Sequence, residues 1–311
     1  MDSLDIFFDG VALNQPPPPL SLLNYLVYII LFIIVVMKCL ANRGLSQPPP
    51  PSPPPNLNSP DGYEIGRELG RGAFGVVHFV KQKTDQKILA MKIITLVDSV
   101  LQQQEIKILS KINHPNIVMF VRSFVQGHSV YILAELCEHG DLSIKVAEKK
   151  QQNKIFNAVL ISNWIYMLID AISYLHNSNI IHRDIKPSNI FIKDNQSIKL
   201  GDFGVSRYIG ETSTINILST TGTTKYMSPE MTSIGQTYSF NTDCWSLGCV
   251  LFELVTLEIF SDKNLNHYES IIREIENLNT QNEFKELLKK MLQTDKTQRA
   301  SSDELKLMIT D

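Results

Sequence analysis

The sequence predicts an α+β domain in which strands come first and helices follow. Segments such as VVHFV at 76–80 are rich in β-branched and aromatic residues and favour strands, and LQQQEIKILSKI at 101–112 has a helical pattern. Residues 164–176 carry an apolar stripe at helical spacing, which predicts a core helix. Most of the prolines, 12 of 15, lie in residues 1–60. We therefore separate a proline-biased leader from a folded domain at 61–311.

Composition and charge exclude several classes of protein. Hydrophobic residues make up 43% of the chain and charged residues 20%, values typical of a globular protein rather than a disordered one. The net charge is −3, so no overall basic field points to a nucleic-acid partner. The four cysteines form no CxxC pair and no cluster with histidine. This pattern excludes a disulfide scaffold or a zinc module and suits a reducing compartment.

The leader contains an apolar segment that is long enough to cross a bilayer. After an acidic tail at 1–19, residues 20–37 carry no charge, and about 20 apolar residues span a membrane as a helix. We predict a transmembrane helix at 20–40, with membrane lipid as its partner. Because Lys38 and Arg43 follow the apolar segment, the folded domain is expected in the cytosol. The acidic start disfavours a cleaved signal peptide. A buried helix in a soluble cytoplasmic protein is the alternative.

A proline-rich linker at 41–60 joins this segment to the domain. Residues 47–60 read QPPPPSPPPNLNSP. Proline fixes φ and lacks an amide hydrogen, so we expect polyproline II rather than helix or sheet. We interpret the segment as a stiff stalk of about 40 Å. The alternative is a ligand for the proline-binding module of a partner.

A glycine-rich segment at 70–77, GRGAFGVV, predicts a phosphate-binding hairpin. Glycine lets backbone amides approach phosphate oxygens without a Cβ in the way. The β-branched and aromatic residues that follow favour a strand, whereas the glycine loop of a Rossmann fold opens a helix. The residues of this predicted site are Leu69, Gly70, Arg71, Gly72, Ala73, Phe74, Gly75 and Val77.

A lysine on the next apolar strand is predicted to bind nucleotide phosphates. Lys92 follows Ala90 and Met91, and a lysine on a buried strand is costly unless it is paired. Its predicted partner is Glu105, which lies in the helical pattern LQQQEIKILSKI. The alternative is that both residues lie on the surface.

Three further motifs follow the glycine-rich segment and Lys92 along the chain. They are HRDIKPSN at 182–189, DFG at 202–204 and SPE at 228–230. With these motifs, residues 63–311 resemble the eukaryotic protein kinases. The resemblance implies a bilobal α+β fold, with a small β-rich lobe at about 63–134 and a larger, mostly helical lobe from about residue 138. It also implies ATP and Mg²⁺ as cofactors and proteins as substrates.

The resemblance assigns catalytic and metal-binding roles by position. Asp184 resembles the base that accepts the proton of the substrate hydroxyl, and Lys186 resembles the lysine that steadies the γ-phosphate. Asn189 and Asp202 resemble the Mg²⁺ ligands, and hard oxygen donors suit this ion. Because Lys186 stands two residues after Asp184, the pattern resembles serine/threonine kinases rather than tyrosine kinases.

Other positions resemble architectural and regulatory residues of kinases. Glu230 resembles the glutamate that pairs with an arginine near the C-terminus, here Arg299. Asp243 resembles the buried aspartate that holds the catalytic-loop backbone. Thr223 resembles the threonine that bonds the catalytic aspartate and lysine. Candidate activating phosphorylation sites, by the same resemblance, are Ser219 and Thr220.

The segment VYILAELCEHGDL at 130–142 resembles the strand and hinge that border the kinase nucleotide pocket. Counting back from Glu135 makes Ala134 the residue that guards the pocket, where most kinases carry a larger side chain. The other predicted nucleotide contacts are the side chains of Val77, Ala90 and Phe191 and the backbone at Glu135 and Cys137.

The segments HPNIV, YMSPE and SLGCVLFEL resemble the NIMA-related kinases in particular. The segments HRDIKPSN and DFGVS also resemble the mitogen-activated protein kinase kinases, which are the alternative family. Thr224 and Lys225 depart from the NIMA-related pattern, which usually has proline and an aromatic residue there. A dormant kinase-fold scaffold that acts by binding is the alternative function. The complete set of catalytic residues favours an active enzyme.

Overall fold

A computed structural model describes residues 56–72, 75–95, 99–209, 223–232, 239–260 and 268–310. These residues belong to one structural unit. The predictions for the leader lie outside the described residues. They are the tail at 1–19, the transmembrane helix at 20–40 and the part of the linker up to residue 55.

The linker prediction was wrong for residues 56–60, which belong to the folded domain. Tyr63 Oη donates to Leu57 O at 3.0 Å, Leu57 packs against the core, and Pro60 begins a short 3₁₀ helix, Pro60–Gly62.

The first lobe is a five-stranded antiparallel sheet with the strand order β1-β2-β3-β5-β4. Its strands are β1 (Tyr63–Gly72), β2 (Gly75–Gln82), β3 (Ile88–Thr95), β4 (Phe120–Gln126) and β5 (Ser129–Glu135). Helix α1 (Ser99–Leu109) lies between β3 and β4 along the chain. The predicted glycine-rich hairpin is confirmed, since Gly72 of β1 pairs with Gly75 of β2.

The register of this sheet places the predicted nucleotide contacts on one face. Lys92 of β3 lies opposite Val77 of β2, and Ala90 lies opposite Ala134 of β5. Directly opposed residues share a face, and residues two apart on one strand also share a face. Val77, Ala90, Lys92 and Ala134 therefore all lie on the same side of the sheet.

The second lobe is mostly helical. Its helices are α2 (Leu142–Gln151), α3 (Ala158–Asn177), α4 (Phe240–Thr256), α5 (Tyr268–Glu276), α6 (Asn282–Met291) and α7 (Ser302–Thr310). Helices α3 and α4 supply the centre of its core, where Leu168 and Leu251 are fully buried. Among the described residues, α3 is long and apolar enough to span a membrane, but half of its apolar window is buried inside the domain. The core helix predicted at 164–176 is confirmed.

Four short strands flank the HRD and DFG segments along the chain. Strand β6 (Ile180–Ile181) pairs with β9 (Arg207–Tyr208), and β7 (Ile190–Ile192) pairs with β8 (Ile198–Leu200). The HRD segment lies between β6 and β7, and the DFG segment lies between β8 and β9. The two pairs therefore bring these segments together, although they are distant in sequence. The strand-then-helix order and the two lobes confirm the predicted α+β fold.

Two helix ends show how the local sequence sets the boundaries. Helix α7 begins with a capping box, in which Ser301 Oγ accepts from Glu304 N and Glu304 Oε2 accepts from Ser301 N. Helix α1 is shorter than its pattern predicted. Its last turn tightens through a bond from Lys111 N to Ile108 O, and the helix stops at Leu109. Ile112 therefore lies beyond the helix, although it still packs against the core.

Candidate active site

The turn of the glycine hairpin requires glycine at one position for internal reasons. Gly75 has a φ of +133°, and a Cβ there would lie 2.3 Å from Ile93 O. A Cβ at Gly70 or Gly72 would meet no described atom within 4 Å. The fold therefore requires glycine at Gly75, while Gly70 and Gly72 keep the space beside the sheet face clear.

Two other residues of the predicted loop are placed by the structure. Leu69 lies within β1, and Arg71 forms a bidentate ion pair with Glu68 on the surface. Side chains of this pair are 67% and 41% exposed, so the pair adds little to stability. Ala73 and Phe74 lie outside the described residues.

Lys92 lies between two carboxylates. Its Nζ is 2.7 Å from Glu105 Oε1 and 3.0 Å from Asp202 Oδ1. Strand β3 supplies the lysine, α1 supplies the glutamate, and the segment after β8 supplies the aspartate. The lysine is almost buried, with 16% of its side chain exposed. The predicted pair with Glu105 forms, and Asp202 joins it from the other lobe.

Burial and charge act in opposite directions in this cluster. Burial alone would lower the pKa of Lys92, but the Asp202 and Glu105 carboxylates raise it above its usual range, so the lysine is charged at neutral pH. Burial raises the pKa of Glu105, and the Lys92 charge only partly offsets this. For Asp202, the Lys92 ammonium more than offsets burial and holds the pKa below its usual range. Asp202 is therefore the more anionic carboxylate of the two.

The catalytic-loop residues form a second cluster around Asp184. Asp184 Oδ2 accepts from Asn189 Nδ2 at 2.8 Å and lies 2.8 Å from Lys186 Nζ. Asn189 Nδ2 also donates to the backbone oxygen of Asp184. Asp184 Oδ1 is buried, and no described residue bonds to it. One carboxylate oxygen is thus fixed by two donors while the other remains an available acceptor.

Two residues of the site hold a left-handed backbone conformation. Arg183 has a φ of 72° and Asp202 a φ of 59°. Non-glycine residues rarely adopt such angles, and they persist where the surrounding structure fixes them. At Arg183 the fixing group is the carboxylate of Asp243, which accepts from Arg183 N at 2.9 Å and from His182 N at 2.8 Å.

Asp243 also connects the catalytic loop to the core helices. It is fully buried on α4, and His176 Nε2 of α3 lies 3.0 Å from its Oδ2. His176 Nδ1 in turn lies 2.9 Å from Ser302 Oγ at the start of α7. Sequence reasoning named Asp243 but missed His176. A histidine in the last turn of an apolar helix was the available signal.

Glu230 and Arg299 form a buried bidentate ion pair. Arg299 donates to Glu230 at 2.7 and 3.0 Å, and the two side chains are 0% and 8% exposed. Arg299 also donates to Gln293 O and Asn241 O. The predicted pair therefore forms, and it joins the SPE motif to the start of α4 and the loop before α7.

The acid limit of stability is predicted from two of these buried carboxylates. Burial alone would raise the pKa of Asp243 and Glu230, but His176 and Arg299, respectively, more than offset burial and hold both values low. A carboxyl group whose pKa is lower in the folded than in the unfolded protein stabilises the fold at any pH above its unfolded pKa, which is about 3.9 for Asp and about 4.3 for Glu. This stabilisation is lost as the pH falls through the folded pKa. We expect a thermal midpoint that is level from pH 7 to about pH 5 and falls steeply below about pH 4. A midpoint that rises on acidification would contradict this assignment.

The predicted hinge residues lie at the end of β5 and just after it. Ala134 and Glu135 end β5, and Cys137 follows, half-buried. Burial raises the pKa of the Cys137 thiol to about 11, so it is neutral at pH 7. Phe191 lies on β7, and its ring approaches Gly201 so closely that a Cβ there would be 2.8 Å from Cε2.

The side chains of three predicted residues are not described by the structure. Ser219 and Thr220 lie outside the described residues. The backbone of Thr223 opens a short 3₁₀ helix, Thr223–Tyr226, but its side chain is not among those described. Tyr226 was not predicted to matter, yet its hydroxyl donates to Glu253 on α4 at 2.6 Å.

Comparison with known proteins gives one family and a consistent set of relatives. Residues 63–308 match the family model described as the protein kinase domain. The chain is 35% identical over 215 residues to the probable serine/threonine-protein kinase nek3 of Dictyostelium discoideum, covering 66% of this chain and 19% of that protein. It is 38% identical over 201 residues to serine/threonine-protein kinase Nek11 of Homo sapiens, covering 62% and 30%. It is 36% identical over 204 residues to human Nek5, covering 64% and 28%. The matched region spans less than a third of each relative.

Proposed function

The chain belongs to the protein kinase family and resembles serine/threonine kinases of the NIMA-related type, and on this premise we propose that it transfers the γ-phosphate of ATP to serine or threonine hydroxyls of proteins. The Nek names of the relatives favour this family over the mitogen-activated protein kinase kinases. The proposal includes the roles of individual residues, which are argued from the geometry below.

The observation that carries the proposal is the state of Asp184. Its Oδ2 is held by Asn189 and Lys186, whereas its buried Oδ1 has no partner among the described residues. A buried acceptor without a donor is rare in folded proteins. A substrate hydroxyl would satisfy it, and the carboxylate would receive the hydroxyl proton as the oxygen attacks the γ-phosphorus.

The residues around Lys92 fit a nucleotide with its metal ion. Mg²⁺ is usually held by one or two protein oxygens together with phosphates and water. Asp202 is held anionic, and Asn189 uses its amide nitrogen within the protein, which leaves its oxygen for a cation. When bound, Mg²⁺ would neutralise charge on the phosphates. The clear space at Gly70 and Gly72 would admit the phosphates to the backbone of the hairpin.

Each protein group then has a defined task in the transfer. Lys92 holds the phosphate chain and is itself oriented by Glu105. Lys186 stands beside Asp184 and faces the charge that develops on the transferred group. As the new bond to the substrate oxygen forms, the bond from the γ-phosphorus to ADP breaks, and the proton passes to Asp184. Phosphoryl transfer depends mainly on positioning and charge neutralisation, which this arrangement supplies.

A label-transfer assay tests the proposal. The full chain is incubated with radiolabelled ATP, Mg²⁺ and casein or myelin basic protein, beside the Asp184→Ala variant. We expect label in the substrate with the wild type and at most a trace with the variant. Equal labelling by both proteins would overturn the proposal, as would no labelling by either protein under conditions where ATP binds.

We also propose that residues 20–37 anchor the protein in a membrane, with residues 47–55 as a stalk and the kinase domain in the cytosol. The support is the uncharged apolar run followed by Lys38 and Arg43. We expect the full chain to stay with membranes after alkaline carbonate extraction, and a chain lacking residues 1–46 to be released. Extraction of the full chain by carbonate would contradict the anchor.

The size of Ala134 predicts an inhibitor preference. Ala134 lies on the same sheet face as Ala90 and Lys92, so an adenine analogue with an added naphthyl group would gain apolar contact beside it. We expect Ala134→Met to reduce sensitivity to such an analogue at least ~10-fold and to leave ATP use largely intact. Ala147→Met on the exposed face of α2 is the matched control.

The alternative is that Met119 or Phe120 fills the same space. Phe120 lies directly opposite Ala134 on β4. If either residue fills this space, the wild type and Ala134→Met will be inhibited equally, and Ala134 is then not the residue that limits the pocket.

A further inference from the structure

A buried ion pair connects the hinge to the strand that leads to Asp202. Lys199 Nζ on β8 lies 2.5 Å from Glu135 Oε1 at the end of β5. The side chains are only 6% and 16% exposed. Neither side chain belongs to the groups assigned above to phosphate, metal or substrate. The pair therefore needs its own explanation.

Both charged groups also bind the segment that runs from α1 to β4. Glu135 Oε1 accepts from Met119 N at 2.7 Å, and Lys199 Nζ lies 3.3 Å from Ile117 O. Backbone bonds reinforce the same junction, since Glu135 N donates to Met119 O and Val118 N donates to Leu200 O. The pair is thus the point where three segments meet.

Each of these three segments carries one part of the proposed nucleotide site or is connected along the chain to an element that does. The hinge carries the backbone groups predicted to bind adenine. Strand β8 leads through Gly201 into Asp202, and Gly201 is packed so closely that a Cβ would lie 2.9 Å from Val118. The segment 116–119 follows α1, which carries Glu105. A shift of any one segment at the ion pair would move its part of the site relative to the other two.

The chemistry of the contact favours positioning over stabilisation. A buried ion pair gains little stability over apolar residues of the same volume, because desolvation offsets the attraction. Apolar contact is also non-directional. Here the Glu135 carboxylate is bound by Lys199 and by the backbone amide of Met119. The narrow distances and angles of hydrogen bonds therefore restrict its position.

We propose that Glu135 and Lys199 are positioning residues that hold the adenine-binding hinge and the metal-binding Asp202 at a fixed separation, and so couple the two ends of the nucleotide. The inference rests on the proposed ATP site. It concerns the affinity for nucleotide and not the contact with protein substrate. The side chains that hold Asp184 Oδ2 are those of Asn189 and Lys186, not those of Glu135 and Lys199.

A double-mutant cycle with a kinetic readout tests the coupling. The variants of the full chain are Glu135→Gln, Lys199→Met and the double variant, with Lys193→Met as the control for loss of an exposed lysine on the same β7–β8 hairpin. Glu135→Gln keeps shape and backbone, so it remains informative if Lys199→Met folds poorly. KM for ATP, KM for a peptide substrate and kcat are measured for each, together with the Kd of MgATP by calorimetry.

We expect each single change to raise KM and Kd for ATP about tenfold, with KM for peptide within about twofold of the wild type. The double variant should be no worse than the worse single variant, because the two changes remove the same interaction. Lys193→Met should match the wild type. A merely structural role would lower the thermal midpoint and kcat and leave KM for ATP unchanged.

Two results would overturn the inference. One is an unchanged Kd for MgATP in both single variants, and the other is a double variant in which the two effects multiply. If the wild type binds MgATP but transfers no phosphate, the proposed function fails, while the four Kd values still decide the coupling. If the wild type binds no MgATP, both proposals fail.

Discussion

Replacing Lys92 with methionine is expected to lower the rate of phosphate transfer by at least ~100-fold, by analogy with the loss of one preorganised charge from a water-excluded site. The lysine is almost buried and lies between the carboxylates of Glu105 and Asp202. Methionine keeps most of the apolar stem. Because burial already raises the pKa of Glu105, this carboxyl can become neutral when the lysine is absent, and the fold is expected to survive.

The measurement is the initial rate of label transfer beside a thermal unfolding curve. Lys87→Met is the matched control, because Lys87 is exposed and directly precedes the same strand, β3. It should retain the wild-type rate. Near-normal turnover in Lys92→Met, with an unchanged unfolding curve, would show that Lys92 does not hold the phosphates.

Replacing Arg299 with methionine is expected to lower the free energy of unfolding by about 3–5 kcal/mol, because the Glu230 carboxylate is left buried without its partner. Arg299 also gives two backbone hydrogen bonds and lies over the Trp245 ring at 5.1 Å. All of these contacts are lost together. Urea unfolding at pH 7 gives the free energy from the midpoint and slope.

The matched comparison is a double variant, Arg299→Met with Glu230→Met, which removes both charges. Since the main cost is an unpaired buried charge, the double variant should be more stable than Arg299→Met alone. A loss below about 1 kcal/mol in Arg299→Met, or a double variant that is less stable than the single one, would contradict the assignment of this pair as a structural ion pair.

The sequence was sufficient for the residues whose neighbours stand in fixed motifs. Lys92 and Glu105 are only 13 positions apart, on a strand and the helix that follows it, so periodicity could pair them. Asp184, Lys186 and Asn189 lie within one short segment, and the local chain path limits their distances. The order of the two lobes followed from the resemblance of these motifs to the protein kinases.

Contacts between segments that are distant along the chain were harder to predict from the sequence. Asp202 lies 110 positions from Lys92, and spacing alone gives no distance between them. Lys199 reads as an ordinary lysine beside the DFG motif, because a strand of three residues is too short for alternation to show which side is buried. Glu135 was predicted only for its backbone. Its side chain acquires a role when β8 packs against the hinge, which is a property of the tertiary fold.

Phosphoamino-acid analysis of the labelled product tests the central claim most directly. The full chain and Asp184→Asn are each incubated with radiolabelled ATP, Mg²⁺ and a protein substrate, and the substrate is hydrolysed to its amino acids. The proposed base predicts label in phosphoserine or phosphothreonine with the wild type and a loss of nearly all of it with Asp184→Asn. Label confined to phosphotyrosine, or equal label from both proteins, would contradict the assignment of a serine/threonine kinase that acts through Asp184.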